Sequence, residues 1–195
     1  MKKPLSSSVL NPANIYVSFE VECTGPLPGK HSILSFHALA RNASGSIEDS
    51  FATNVKELED GEWDPSTIAY AGHPDRRKSL ISVTSNPIDV EEFVQSLHDW
   101  LIYLKQKAHD NGEGKLIGIT YPSGFHYFFL RHYLLSYKKG CVQNTWLRDP
   151  FNCRVVESKH KKKVGDKQTE TMSSRVAARL DTALKAFSSG NLTII

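Results

Sequence analysis

The chain predicts one domain of mixed α/β or α+β class, and three observations carry that prediction. Three segments with period-two alternation come before any helical pattern. An amphipathic stretch of about five turns, a short apolar strand and further helical segments then follow. The length of 195 residues, with 39% hydrophobic and 23% charged residues, suits one sizeable core.

Residues 1–13 form a polar, proline-bearing lead-in, and the domain is expected over residues 14–190. In the first strand Ile15, Val17, Phe19 and Val21 share one face, while Tyr16, Ser18, Glu20 and Glu22 share the other. Gly25-Pro-Leu-Pro-Gly29 turns the chain into a second strand over 31–41, apolar on parts of both faces as an interior strand is. Asn42-Ala-Ser-Gly45 is a turn signal, and residues 46–55 give a third strand. From Glu57 to Pro87 the text breaks into Gly, Pro and charged residues, with a short helix expected near Pro65 to Ala71.

Asp89 with Glu92 three residues on reads as a capping box. Val90, Phe93, Val94, Leu97, Leu101 and Leu104 then recur at helical spacing. The run from Asp110 to Gly114 ends that helix, and Lys115 to Thr120 resumes as an apolar strand. A helix capped by Ser123 runs past Leu135, apolar almost all round and hence expected to be deeply buried. Residues 141–146 and 151–156 read as short strands or loop segments. The last helix is expected over 173–188, its inner face formed by Val176, Leu180, Ala183, Leu184 and Phe187.

Several function classes lack support. There is no Gly-x-Gly-x-x-Gly, no P-loop, no Gly-x-Ser-x-Gly and no His-Glu-x-x-His. Cys23, Cys141 and Cys153 are odd in number and far apart, which suggests neither a disulfide framework nor a zinc site and fits a reducing cytoplasm. Prolines interrupt any apolar stretch after Met1-Lys-Lys, and no long apolar run follows, so neither an export signal nor a membrane span is expected. A formal net charge of +3 is compatible with a nucleic-acid partner without requiring one.

Two carboxylates on one strand face, Glu20 and Glu22, can hold a hard divalent cation; the alternative is a solvated face that carries two acids. The surrounding text, from Val17 through Glu20-Val-Glu22 and the Gly25-Pro-Leu-Pro-Gly29 turn to Ala38, resembles the first motif of DnaQ-like exonucleases, the DEDD group of the RNase H-like superfamily. That motif is Asp-x-Glu on the first strand, followed by a Gly-Pro-x-Pro-Gly turn and a second strand. The resemblance implies an RNase H-like α/β fold, with a mixed central sheet, antiparallel N-terminal strands and helices on both faces. It also implies metal-dependent 3′-5′ phosphodiester hydrolysis with Mg²⁺ or Mn²⁺, and DNA or RNA as partner.

The chain departs from the family at most of the remaining positions. Glu20 stands where the family has Asp. The segment from Leu116 to Leu130 resembles the second motif, with His126 at the aspartate position; imidazole can ligate Mn²⁺ but is a poor ligand for Mg²⁺. A histidine packed among aromatics is the alternative reading of His126. The stretch from Arg175 to Phe187 resembles the last motif and sets Thr182 at the catalytic aspartate and Ala177 at the histidine, leaving Asp181 as the nearby acid. Two-metal phosphoryl transfer needs about four carboxylates to hold two cations some 4 Å apart.

Glu20, Glu22, His126 and Asp181 are therefore the candidate catalytic residues, Glu20 and Glu22 the candidate metal ligands, and a cofactor-free protein is the other outcome. Lys159, Lys161, Lys162 and Lys163 could contact phosphates, and Tyr121 and Tyr127 could stack on bases; a solvated loop is the alternative for the lysines. The expected function is that of an exonuclease-fold protein that binds nucleic acid with lost or strongly reduced hydrolysis. Its alternatives are an active exonuclease with an atypical site and a protein-interaction or inhibitor module that docks a protein partner.

Overall fold

A computed structural model describes residues 11–69, 86–120, 123–137 and 172–188. Strands β1 (Ile15–Cys23), β2 (Ile33–Asn42) and β3 (Ile47–Asn54) precede a short helix α1 (Pro65–Ala69). Helix α2 (Val90–Asp110), strand β4 (Leu116–Ile119), helix α3 (Ser123–Tyr137) and helix α4 (Met172–Ser188) follow.

The sheet order is β3-β2-β1-β4, with β1 antiparallel to β2, β2 antiparallel to β3, and β4 parallel to β1. Alternation along β1 sorts its side chains into two cores. Ile15, Val17, Phe19, Val21 and Cys23 pack under α2 and α3 with Phe36, Phe93, Leu97, Phe129 and Tyr133. On the opposite face Tyr16 joins Leu180, Ala183 and Leu184 of α4 together with Ile117 and Ile119 of β4. Helices thus cover both faces of a mixed sheet whose N-terminal strands are antiparallel, the α/β arrangement expected.

The first core is largely aromatic. Phe36 lies 6.2 Å from Phe19 and 5.6 Å from Phe93 between ring centroids, and Phe51 lies 5.6 Å from Trp100. Contacts of this kind add to the area that the rings bury. Every apolar position expected on the inner face of α2 is buried. At its start, however, the Asp89 side chain makes no cap hydrogen bond; it accepts instead from Lys56 Nζ at 2.8 Å, so an ion pair across the fold has replaced the expected capping box.

Helix α3 departs from the deep burial expected of it. Phe129, Leu130, Tyr133 and Leu134 are buried, whereas Phe128 and Leu135 are exposed. The described part of the short helix ends at Ala69; residues 70 and 71 lie outside the described residues, as do 141–146 and 151–156. No helix among the described residues is long and apolar enough to cross a membrane.

Candidate functional site

The acids of β1 lie at its C-terminal half, where β4 has already stopped. The β1–β4 pairing ends at Ser18 and Ile119, so the backbone groups of β1 beyond that point need other partners on the same edge. Two side chains supply them. Thr120 Oγ1 donates to the Phe19 carbonyl at 2.7 Å, and the Val21 N–H donates to His126 Nδ1 at 3.1 Å.

A nitrogen that accepts carries no proton, so the His126 ring is neutral with its proton on Nε2. The ring is buried, with Phe125 edge-on to it at 5.2 Å between centroids. His126 therefore serves as a hydrogen-bond acceptor for the backbone of β1.

The Gly25-Pro-Leu-Pro-Gly29 turn holds the end of β1 through a second buried histidine. The Leu27 N–H donates to His31 Nδ1 at 2.8 Å, and the Leu27 carbonyl accepts from the His31 N–H at 2.8 Å. The imidazole lies so close to Gly25 that a Cβ there would sit 2.6 Å from three of its ring atoms. Glycine is required at this position by close approach, whereas Gly29 also has a positive φ of 86°. Thr24 ties the turn to the next segment, its hydroxyl donating to the Glu62 carbonyl at 2.6 Å and accepting from the Ser32 N–H at 2.9 Å.

Helix α4 crosses the face of β1 that carries the acids. Arg179 Nη1 reaches Glu20 Oε2 at 3.3 Å, with the Glu20 side chain only 8% exposed and that of Arg179 23%. Asp181, two residues on, pairs with Arg41 of β2. Glu20 stands opposite His37 of β2, and Arg41 stands opposite Tyr16. Asp181 is thus engaged four residues along the sheet from the level of Glu20.

Arg179 Nη1 thus meets Glu20 as an ion pair without hydrogen-bond geometry, and Ser18 Oγ and Arg41 Nε are buried without a hydrogen-bond partner among the described residues. Cys23 is free and buried; burial first, and then the charge of Glu22, push its thiol well above the usual value, so it is not a poised nucleophile.

The candidate residues meet different fates. Glu20 and Glu22 lie on one face as the alternation requires, Glu20 buried and Glu22 half-buried. Glu20, Glu22, His126 and Asp181 do not converge: among the described residues no three His, Cys, Asp or Glu side chains form a group able to hold a metal. The donor set does not fit a two-cation centre, since Glu20 faces a guanidinium and His126 Nδ1 faces an amide. Ala177, at the family's histidine position, is half-buried. Tyr127 is half-buried and packs against the first core. Tyr121, Lys159, Lys161, Lys162 and Lys163 lie outside the described residues.

Sequence reasoning missed Arg179, Arg41, Thr120 and His31. For Arg179 a signal existed. It stands three residues after Val176 and one before Leu180, at the border of the apolar stripe of α4, where a long charged side chain can reach across onto a neighbouring strand.

No family model matches the chain, and no curated protein matches it. Among solved structures, a product-bound exonuclease I is similar with a TM-score of 0.43 and 12% identity, over 60% of this chain and 24% of that one. Apo exonuclease I gives the same four values. E. coli exonuclease I in complex with a dA16 oligonucleotide gives a TM-score of 0.42 and 12% identity, over 60% of this chain and 22% of that one. The chain spans about a quarter of the length of these structures, and similarity of this size assigns no role to any residue.

Proposed function

We propose that this chain is an exonuclease-fold protein that binds nucleic acid, single-stranded DNA or RNA, and has lost or nearly lost 3′-5′ hydrolysis. The proposal takes residues 14–190 as one domain, with a cytoplasmic setting that suits the free thiol of Cys23. Support for the nuclease ancestry comes from the Glu20-x-Glu22 strand with its Gly/Pro turn, set in a mixed sheet of order β3-β2-β1-β4. Support for binding comes from the mildly basic charge and the lysine run Lys159–Lys163.

The single observation that carries the loss of hydrolysis is the Arg179–Glu20 ion pair. Cation-assisted hydrolysis needs surplus negative charge to offset the repulsion between its cations. Here the buried acid of β1 already has a positive partner. Catalytic groups that act as a unit lose factors of hundreds to thousands or more when one is removed.

A labelled-oligonucleotide assay tests the proposal, with DNA and RNA side by side in Mg²⁺ and in Mn²⁺, and with Glu20→Ala/Glu22→Ala as the control. The expected outcome is no degradation above that control. Binding should weaken steeply with salt, and neutralising Lys161, Lys162 and Lys163 should flatten that dependence. Degradation by the native chain that disappears in the control would make it an active enzyme with an atypical site. Binding that is absent or indifferent to salt would favour the protein-docking module.

A further inference from the structure

We infer that Arg179 is a tethered counter-cation that excludes divalent metal from the acid pair of β1, and that its removal would turn Glu20 and Glu22 into a cation site. The inference deepens the site reading given above and rests on it, but it does not assume nucleic-acid binding. Burying a carboxylate as deeply as that of Glu20 is costly unless positive charge faces it. Two species could fill that role. A divalent cation must be drawn from solution and give up hydration water, while the guanidinium arrives on α4 already positioned by packing.

Leu180, Ala183 and Leu184, on the same helix, sit in the second core with Tyr16 and Ile119 and fix the distance of α4 from the sheet. The Asp181–Arg41 pair has the opposite polarity, acid on the helix and base on the strand. Together the two pairs set α4 in one register, because sliding it along the sheet would separate Arg179 from Glu20 and Asp181 from Arg41. A metal entering at Glu20 would have to expel a guanidinium whose helix is held by both packing and charge.

The test is thermal melting with and without millimolar MnCl₂ at matched ionic strength, for the native chain, Arg179→Ala, Arg179→Lys and Arg179→Ala/Glu20→Gln. The native chain and Arg179→Lys should show no Mn²⁺ shift. Without metal, Arg179→Ala should melt about 5–10 °C lower, because a nearly buried acid loses a guanidinium partner. Mn²⁺ should restore at least about 3 °C of that loss with saturable concentration dependence. In Arg179→Ala/Glu20→Gln the Mn²⁺ response should vanish.

A native chain that Mn²⁺ stabilises as much as Arg179→Ala, or an Arg179→Ala protein indifferent to Mn²⁺, would overturn the inference. Should Arg179→Ala fail to fold, Arg179→Leu/Glu20→Leu decides the matter. Recovered melting supports the pairing, and a double variant as damaged as Arg179→Leu alone refutes it. The two proposals fail separately. An Mn²⁺ shift in a native chain that degrades nothing sinks only this inference, while metal-dependent degradation by the native chain sinks the proposed function.

Discussion

His126 offers the sharpest distinction between a metal ligand and a structural group, because its Nδ1 accepts the Val21 N–H at 3.1 Å. Both residues are buried, Val21 at 2% and His126 at 4% exposure. In His126→Ala the Val21 amide is left without an acceptor, at a cost of about 1–3 kcal/mol. Removing the ring from its place beside Phe125 adds about 1–2 kcal/mol. In His126→Asn the side-chain oxygen can take the place of Nδ1, so that only the packing loss remains. The two variants should therefore differ by about 1–3 kcal/mol, a factor of roughly 5–150 in the folding equilibrium constant. With a urea slope of about 2–3 kcal/mol/M, their midpoints should lie about 0.3–1.5 M apart. Equilibrium urea unfolding measures this, and amide hydrogen exchange locates it, since Val21 should lose protection in the alanine variant and keep it in the asparagine variant. Equal midpoints, together with a Val21 amide that exchanges at the native rate in His126→Ala, would refute the reasoning.

Gly25→Ala should destabilise by about 2–4 kcal/mol, since its Cβ would collide with a ring held by the Leu27 N–H. Gly45→Ala meets no atom within 4 Å and has only its positive φ to strain it, so it should cost about 1 kcal/mol; thermal melting of the pair checks the ranking. Cys23 should resist alkylation in the native state in a Cys141→Ser/Cys153→Ser background and react on unfolding, as mass spectrometry of the labelled protein would show. Because folding raises the pKa of this thiol above its ordinary value near 9, its contribution to stability is whole below that pH. The contribution declines as pH rises from there toward the folded-state value, a trend that the same background, compared with Cys23→Ser, would reveal in melts between neutral and alkaline pH.

What the sequence made legible was local. Alternation in β1 places Glu20 and Glu22 on the face opposite Phe19 and Val21, and the heptad-like spacing of Val90 through Leu104 identifies the buried side of α2. Contacts between segments distant in the chain were not legible in the same way. The Asp89-x-x-Glu92 signature matched a capping box, yet Lys56, two residues past the end of β3, takes the aspartate. An all-round apolar α3 suggested burial on every side, whereas packing against a sheet covers only one side and leaves Phe128 and Leu135 outward. Gly25 was readable as a turn residue, but the reason for it, a histidine ring folded back from the following strand, depends on tertiary placement.

The same division governs the site. At the positions that resemble the exonuclease motifs the chain carries His126, Ala177 and Thr182 rather than acids and a base. A carboxylate buried on a strand is costly unless positive charge faces it. Arg179 places a positive group there. Its choice depended on the rotation of α4 about its own axis, which the apolar stripe of Val176, Leu180, Ala183 and Leu184 sets. With that stripe on the sheet, position 179 lies beside Glu20 and position 181 beside Arg41, so one helix rotation satisfies two pairs of opposite polarity. The charge balance of this face is therefore read half from the residues at the motif-like positions and half from the packing of a helix that the motif does not describe.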